Sequence, residues 1–175
     1  DAILSNTSGC GTTMKDYGFI FKDDEEMKKK AKVISELTKD VSEYLSESIK
    51  LNFKAKEKKY KIAYHSACSM QHGQKVHDQP VSLLNKTENE IMEIPEGHIC
   101  CGSAGTYNIL QTEIAKELLK KKVNNIEGLN PDFISTGNIG CITQISNGTK
   151  TPILHTIEVL DWYTGGPKPK ILQRN

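Results

Sequence analysis

Several features that define common classes of small protein are missing from this 175-residue sequence. No apolar run approaches the roughly 20 residues that a helix needs to span a bilayer, and no basic-then-apolar signal segment opens it. The 23 basic and 22 acidic residues nearly balance, so no overall charge points to nucleic acid. The five cysteines are an odd number without a C-x-x-C pair, which argues against a disulfide scaffold and a zinc ribbon. The sequence therefore predicts a cytoplasmic protein with reduced thiols and no nucleic-acid partner.

Four of the cysteines stand shortly after apolar segments that are typical of buried strands. Predicted strands alternate with predicted helices along the chain, which indicates an α/β fold with a parallel sheet and helices on both faces. Because the carboxyl ends of parallel strands meet at one edge of a sheet, we expect these thiols to converge there. They are Cys68 after residues 61–65, Cys100 and Cys101 after residues 90–95, and Cys141 after residues 132–136.

Four converging thiolates are soft ligands that suit zinc or an iron–sulfur cluster. In extended backbone Cys100 and Cys101 point to opposite sides, so a single small ion rarely binds both. A cluster of several irons spans more space, and Gly102 lets the backbone turn, which favours a cluster over zinc. Two other readings stay open. The thiols could be small buried apolar groups, or the adjacent pair could carry out thiol–disulfide chemistry at a helix N-terminus.

Polar residues close to these cysteines in sequence are candidates for an outer layer around the centre. Such neighbours donate hydrogen bonds to cluster sulfurs and tune the reduction potential. Gln144 stands where a C-x-x-C pair would place its second thiol. The other candidates are His65, His72, His98 and Gly102.

The first ten residues repeat a pattern that recurs late in the chain. Residues 1–10 align without gaps on residues 132–141, and both read Asp, an apolar pair, a polar stretch and Gly-Cys. The repeat predicts a strand at Ile3 and Leu4 and a turn at residues 9–11. It assigns Cys10 to a metal site whose partner ligands are missing from this sequence. We therefore expect residues 1–57 to be the end of a first repeat and residues 58–175 to be a complete second one.

A long helix is predicted to connect the two repeats. Asp23 and Glu26 have the spacing of a capping box, and apolar residues recur every three or four positions from Met27 to Ile49. Three lysine runs predict solvated faces, and the second of them is the predicted linker. The runs are residues 28–30, 54–61 and 120–122.

The cysteine motifs resemble the CCG cysteine-rich domain family. This family includes a subunit of heterodisulfide reductase and the iron–sulfur subunits of glycolate and lactate oxidation systems. The stretches that carry the resemblance are residues 8–18 (SGCGTTMKDYG), 68–75 (CSMQHGQK), 98–107 (HICCGSAGTY) and 137–141 (GNIGC). The resemblance covers almost the whole chain.

The resemblance implies an electron-transfer role. The chain would be the C-terminal part of an iron–sulfur subunit in a complex that oxidises glycolate or another 2-hydroxy acid. A flavin-containing subunit would supply electrons, a quinone-type acceptor would receive them, and a ferredoxin-like region would precede the repeats. The complex could lie peripherally at the inner membrane.

The resemblance also implies a ligand set. Relatives that end each repeat in C-x-x-C hold an unusual cluster with five thiolates, but Gln144 replaces the last of them here. Cys68, Cys100, Cys101 and Cys141 remain as ligands, most simply of a [4Fe–4S] cluster, with zinc as the alternative cofactor. Two other functions remain open, namely a heterodisulfide or thiol reductase module and a zinc-stabilised interaction domain.

Overall fold

The N-terminal part of the chain folds around a small parallel sheet. The computed structural model describes residues 1–173 and pairs Ile3 with Thr38 and Ser5 with Asp40 in this sheet. Helices follow both strands. In chain order the elements are β1 (Ile3–Ser5), α1 (Ser8–Lys15), α2 (Tyr17–Ile20), α3 (Lys28–Leu37), β2 (Thr38–Asp40) and α4 (Val41–Ser48).

The rest of the chain builds a larger sheet, in which four parallel strands lie in the order β4-β3-β5-β6. Helices alternate with these strands, so the predicted α/β fold with a parallel sheet is confirmed. The elements are β3 (Lys61–Tyr64), a π-helix (Ser69–Gln74), α5 (Asp78–Asn85), β4 (Glu90–Glu93), α6 (Tyr107–Leu110), α7 (Thr112–Glu127), β5 (Phe133–Thr136), α8 (Ile139–Ser146), β6 (Ile153–His155), α9 (Thr156–Thr164) and a 3-10 turn (Lys170–Gln173).

Helices cover both faces of the larger sheet, because successive residues of its central strands point to opposite sides. On one face Ile62 and Phe133 pack with buried residues of α5 and α9. On the other face Ala63 and Ile134 pack with residues of α7 and α8, in a core that also includes Cys101 and Cys141. Within residues 1–173, no helix is long and apolar enough to cross a membrane.

The segments around Cys10 and Cys141 have the same local structure. The gapless alignment of the repeat carries α1 onto α8 from end to end, and each cysteine is the third residue of its helix. The turn predicted at residues 9–11 is therefore wrong, because these residues already lie in α1. Close packing explains why residue 11 is a glycine, since a Cβ at Gly11 would lie 2.7 Å from Nε2 of Gln74.

The long helix predicted from Met27 to Ile49 is also wrong. The apolar spacing continues through this stretch, but the chain leaves α3 at Thr38 to form β2 and then enters α4. Thr38 and Asp40, the two ends of β2, are buried polar residues. The parallel pairing of β2 with β1 provides hydrogen-bond partners for the backbone of this strand. Pairing across the sheet thus overrides a helical pattern in the sequence.

The capping box begins α4 rather than the predicted helix. Asp40 accepts the N–H of Ser42 at 2.8 Å, and Glu43 accepts the N–H of Asp40 at 3.1 Å. Asp23 and Glu26 make no such pair ahead of α3. The capping box predicted at Asp23 and Glu26 is therefore wrong.

The two parts of the chain pack closely where α1 meets the π-helix. The Ser8 and Ser69 hydroxyl oxygens lie 2.7 Å apart, and the side-chain amide of Gln74 donates to the carbonyl of Ser8 at 2.9 Å. A Cβ at Gly73 would lie 2.7 Å from Cγ2 of Thr12. The helix that carries Cys10 therefore packs directly on the segment that follows Cys68.

Candidate metal centre

The segments that follow β3, β4 and β5 bring four thiols to one place. Cys68 comes just before the π-helix, Cys100 and Cys101 lie between β4 and α6, and Cys141 lies in the first turn of α8. All of them are free thiols. They meet beyond the carboxyl ends of the strands, the edge at which parallel α/β sheets commonly bind ligands.

The four sulfurs form two adjoining pairs. The Sγ atoms of Cys68 and Cys100 lie 3.9 Å apart, and both residues are partly exposed. Cys101 and Cys141 are only 1% and 2% exposed, and their Sγ atoms lie within 4.8 Å of each other and of a ring nitrogen of His65. Because Cys100 and Cys101 are consecutive residues, the two pairs are neighbours.

Polar hydrogens point at one sulfur of each pair. The backbone N–H of Gly102 donates to Sγ of Cys100 at 3.3 Å, and the side-chain amide of Asn138 donates to Sγ of Cys141 at 3.4 Å. Such hydrogen bonds favour the charged thiolate. Sequence reasoning missed Asn138, although its place at the N-cap of α8, three residues before Cys141, was the available signal.

The thiols shift one another's pKa values in opposite directions. Hydrogen bonds with Cys101 and Cys68 lower the pKa of Cys100, and the hydrogen bond with Cys101 lowers the pKa of Cys141 to about 5. The hydrogen bond with Cys100, followed by burial, raises the pKa of Cys68. Hydrogen bonds with Cys100 and Cys141, followed by burial, raise the pKa of Cys101. Cys100 and Cys141 therefore ionise more readily than their partners. A bound metal cation would be needed to displace the protons of Cys68 and Cys101.

The turn that follows the adjacent cysteines requires glycine. Gly102 has a φ of +96°, and a Cβ there would lie 2.5 Å from the carbonyl oxygen of Ala115 and 3.1 Å from Nε2 of Gln144 in α8. Gln144 is buried, and its Oε1 accepts a hydrogen bond from Asn108 at 3.2 Å. Gly102 and Gln144 thus lie together at this turn, where Asn108 adds a polar contact that the sequence did not suggest.

A lysine beside the thiols corrects one sequence prediction. Lys122 belongs to a run predicted to be solvated, yet it is 1% exposed, and its Nζ donates to the carbonyl of Glu96 at 3.1 Å. Burial lowers the pKa of Lys122, while the nearby charges of Cys101 and Cys100 act in the opposite direction. An ammonium group here would offset part of the negative charge of the thiolates.

The remaining candidates lie at the surface. Cys10 on α1, His72 in the π-helix and His98 before Cys100 are all exposed. None of the three belongs to the buried group of possible metal ligands found within residues 1–173, which consists of His65, Cys101 and Cys141. His65 is the exception among the histidines that the sequence singled out, because it is only 2% exposed.

The residues present fit a metal centre. Four thiols in two adjoining pairs offer soft ligands. Their sulfurs spread over more space than a single pair would, and a cluster of several irons requires such a spread. Both ring nitrogens of His65 are buried, and neither has a hydrogen-bond partner among the described residues. A donor set of this composition suits an iron–sulfur cluster or zinc.

Comparison with known proteins identifies the segment that carries the thiols. Residues 62–146 match the family model described as "Cysteine-rich domain" (CCG). This segment runs from β3 to the end of α8 and contains all four converging cysteines. Residues 62–146 are a CCG cysteine-rich domain. Cys10 lies outside the residues that match the CCG family.

Relatives extend the similarity beyond the CCG domain. The "Glycolate oxidase iron-sulfur subunit" of Escherichia coli (strain K12) is 36% identical over 161 residues, which are 92% of this chain and 39% of that protein. The "Probable glycolate oxidase iron-sulfur subunit" of Bacillus subtilis (strain 168) is 30% identical over 153 residues, 85% of this chain and 34% of that protein. "Lactate utilization protein A" of Geobacillus sp. (strain WCH70) is 25% identical over 167 residues, 92% of this chain and 70% of that protein. The chain thus spans well under half the length of the two glycolate oxidase subunits.

Proposed function

We propose that this chain belongs to an iron–sulfur subunit of an oxidoreductase complex that oxidises glycolate or another 2-hydroxy acid. The observation that carries the proposal is the convergence of four thiols from three strand ends within the CCG domain. The names of the E. coli and B. subtilis relatives support an iron–sulfur role and suggest glycolate as the substrate. We also propose that residues 1–57 belong to a first copy of the repeat, which the matching structures of α1 and α8 support.

Each residue of the proposed centre has a physical role. Cys68, Cys100, Cys101 and Cys141 would hold the cluster, most simply of the [4Fe–4S] type because four thiolates are available. The bound cluster supplies one-electron transfer, and the protein fixes its position and electronic environment. Two groups at the site act on the sulfurs themselves. The Gly102 N–H and the Asn138 amide direct hydrogen bonds to the sulfurs of Cys100 and Cys141.

Substrate oxidation would take place on another subunit. The site described here is built from thiols, a buried histidine and a buried lysine, whereas removal of a hydride from a hydroxy acid needs a hydride acceptor such as a flavin. We therefore propose a flavin-containing partner subunit that delivers electrons and a quinone-type acceptor that receives them. The role of this chain would be to hold the centre and to dock between these components.

The proposal is tested by electron transfer through the chain. The anaerobically reconstituted protein is mixed with the flavin subunit encoded by the same organism, glycolate is added, and the visible absorption of the centre is followed. We expect glycolate to bleach the absorption and a soluble quinone to restore it. A centre that dithionite reduces but glycolate with the flavin subunit does not would contradict the assigned electron donor. Turnover of a disulfide substrate, lost in Cys100→Ser, would indicate a thiol reductase instead.

One observation favours a second function. The buried group of His65, Cys101 and Cys141 has the mixed nitrogen and sulfur composition of many structural zinc sites. A fourth ligand from Cys68 or Cys100 would complete such a site. Stoichiometric zinc in protein purified without added metal, together with no visible absorption after anaerobic reconstitution, would favour a zinc-stabilised interaction domain over an electron-transfer centre.

A further inference from the structure

We infer that His65 is a direct nitrogen ligand of the centre, bound beside Cys101 and Cys141, rather than an outer neighbour of the thiolate ligands. The inference rests on the proposed iron–sulfur function and specifies its ligand set. Together with the four thiolates, His65 would give the centre five protein ligands, a mixed cysteine–histidine set in place of the four-thiolate [4Fe–4S] set named above as the simplest. Three observations, each independent of the thiol titrations, lead to this assignment.

The first observation is that the imidazole of His65 is buried without a partner. The residue is 2% exposed, and neither Nδ1 nor Nε2 makes a hydrogen bond to any described residue. Buried polar groups are nearly always hydrogen-bonded, so an exception calls for a physical explanation. A ring nitrogen whose lone pair binds a metal ion would be satisfied without a protein partner.

The second observation is where the ring lies. His65 directly follows β3, and its backbone N–H donates to the carbonyl of Ser135 at 2.8 Å, which fixes the backbone at the end of the strand. One ring nitrogen and the Sγ atoms of Cys101 and Cys141 lie within 4.8 Å of one another. Three donor atoms that converge within this distance can bind one metal atom between them.

The third observation concerns the second ring nitrogen. A histidine that binds a metal usually donates its other N–H to an oxygen, which fixes the orientation of the ring. The register that pairs Tyr64 with Ser135 places Thr136 beside His65 at the next position of the two strands. The Thr136 hydroxyl is fully buried and also lacks a hydrogen-bond partner within residues 1–173. Thr136 is therefore the group that would accept this N–H once the other nitrogen binds metal.

The exposed histidines provide an internal comparison. His72 and His98 flank the thiols in sequence but lie at the surface, and neither belongs to the buried group of possible ligands. A histidine signal from the centre should therefore come from His65 alone. Histidine in place of cysteine on an iron also raises the reduction potential of a cluster, because a neutral ligand replaces an anionic one.

The test compares pulsed EPR spectra of the reduced centre in protein labelled with ¹⁴N- or ¹⁵N-histidine. The chain is reconstituted anaerobically with iron and sulfide. We expect a strong nitrogen coupling that changes with the isotope, disappears in His65→Cys and persists in the matched surface variant His98→Ala. Because the labelled wild-type protein gives the decisive spectrum, the test does not depend on the folding of a variant. The potential of His65→Cys should also fall below that of the wild type, as an added thiolate predicts.

The possible failures are distinguishable. A centre with iron and sulfide but without a strongly coupled histidine nitrogen would overturn the assignment of His65 and leave the proposed function intact. A coupling that survives in His65→Cys would also overturn it. Protein that takes up neither iron nor sulfide would contradict the proposed function, and the assignment of His65 would fall with it.

Discussion

Gly102 couples the conformation of the backbone to the position of the adjacent cysteines. Its φ of +96° is unfavourable for a residue with a side chain, and a Cβ would lie 2.5 Å from the carbonyl oxygen of Ala115. We expect Gly102→Ala to lower the free energy of unfolding by about 1–3 kcal/mol from backbone strain alone, with the contact adding to this. Urea denaturation of the metal-free chain measures the change.

Gly105→Ala is the matched control for this prediction. Gly105 also has a positive φ, of +55°, but a Cβ there would meet nothing within 4 Å. Its substitution should therefore cost only the conformational penalty, about 1–2 kcal/mol. Equal losses of stability in the two variants would show that the contact with Ala115 is unimportant.

Cys101 is the thiol that joins the two sulfur pairs. It is adjacent to Cys100 in sequence and lies near Cys141 and His65 in the core. We expect Cys101→Ser to lose most of the iron bound after reconstitution, because a serine hydroxyl is a harder and less acidic ligand than a thiol. Iron analysis after gel filtration measures the loss. Cys10→Ser, at an exposed thiol, should retain the wild-type iron content, and an equal loss in both variants would contradict the ligand set.

Lys122 places an ammonium group beside the thiols. Its side chain is buried and reaches the carbonyl of Glu96, so water screens its charge less than that of an exposed lysine. We expect Lys122→Met to lower the one-electron reduction potential of the centre by about 60 mV, a tenfold change in the equilibrium constant. Potentiometric titration measures it, with the exposed Lys121→Met as the control. An unchanged potential in Lys122→Met would mean that the amine is neutral or too distant.

At the scale of elements, Asp40 connects β2 to α4 and gives the fold a pH-dependent contribution. Burial raises the pKa of Asp40 above its ordinary value of 3.8, so the folded chain binds this proton more tightly than the unfolded chain. Stability from this carboxyl is therefore fully present below pH 3.8 and is lost as pH rises through the folded pKa. Asp40→Asn retains a capping oxygen and removes the titration.

We therefore expect wild-type protein to gain stability relative to Asp40→Asn as pH falls from 7 to about 4.5. Urea midpoints of the two metal-free proteins at both pH values give the difference. Asp23→Asn, at an exposed position, should show no such trend. A difference between wild type and Asp40→Asn that stays constant with pH would contradict the buried, titrating carboxylate.

The elements that the sequence predicted well are β3, β4 and β5 of the larger sheet. Its strands are short β-rich segments bounded by turn residues, and a pattern of this kind identifies them locally. The break at Thr38 could not be seen, because the apolar residues of α3 and α4 keep helical spacing across it. Only the pairing with β1, which brings residues distant in sequence together, turns Thr38–Asp40 into a strand.

At the scale of the whole molecule, the centre joins three segments that follow different strands of the larger sheet. A ligand that binds only the folded chain stabilises it by about 2.7 kcal/mol at a hundredfold excess over its dissociation constant. We expect metal removal to lower the urea midpoint and to speed amide hydrogen exchange at residues 65–68, 97–105 and 137–141. Exchange in α9, which packs on the opposite face of the sheet, should change least. Uniform changes along the chain would contradict a local centre.

The candidate site was predictable in position but not in full composition. Parallel strands deliver their following loops to one edge, so Cys68, Cys100, Cys101 and Cys141 could be placed together from the predicted strands alone. The burial of Lys122 and the missing partners of His65 depend on side-chain packing between distant segments. Helical spacing places Lys122, but not Lys121, on the face of α7 that carries Ala115 and Ile126, but no pattern in the sequence shows that its amine reaches a buried carbonyl.

The metal content of the purified chain tests the central claim most directly. Iron, acid-labile sulfide and zinc are counted per chain in one anaerobically reconstituted sample, and its UV–visible spectrum is recorded. The account predicts several irons with matching sulfide and a broad visible band. Zinc alone, or protein without metal and with a flat visible spectrum, would contradict an iron–sulfur centre at the four converging thiols.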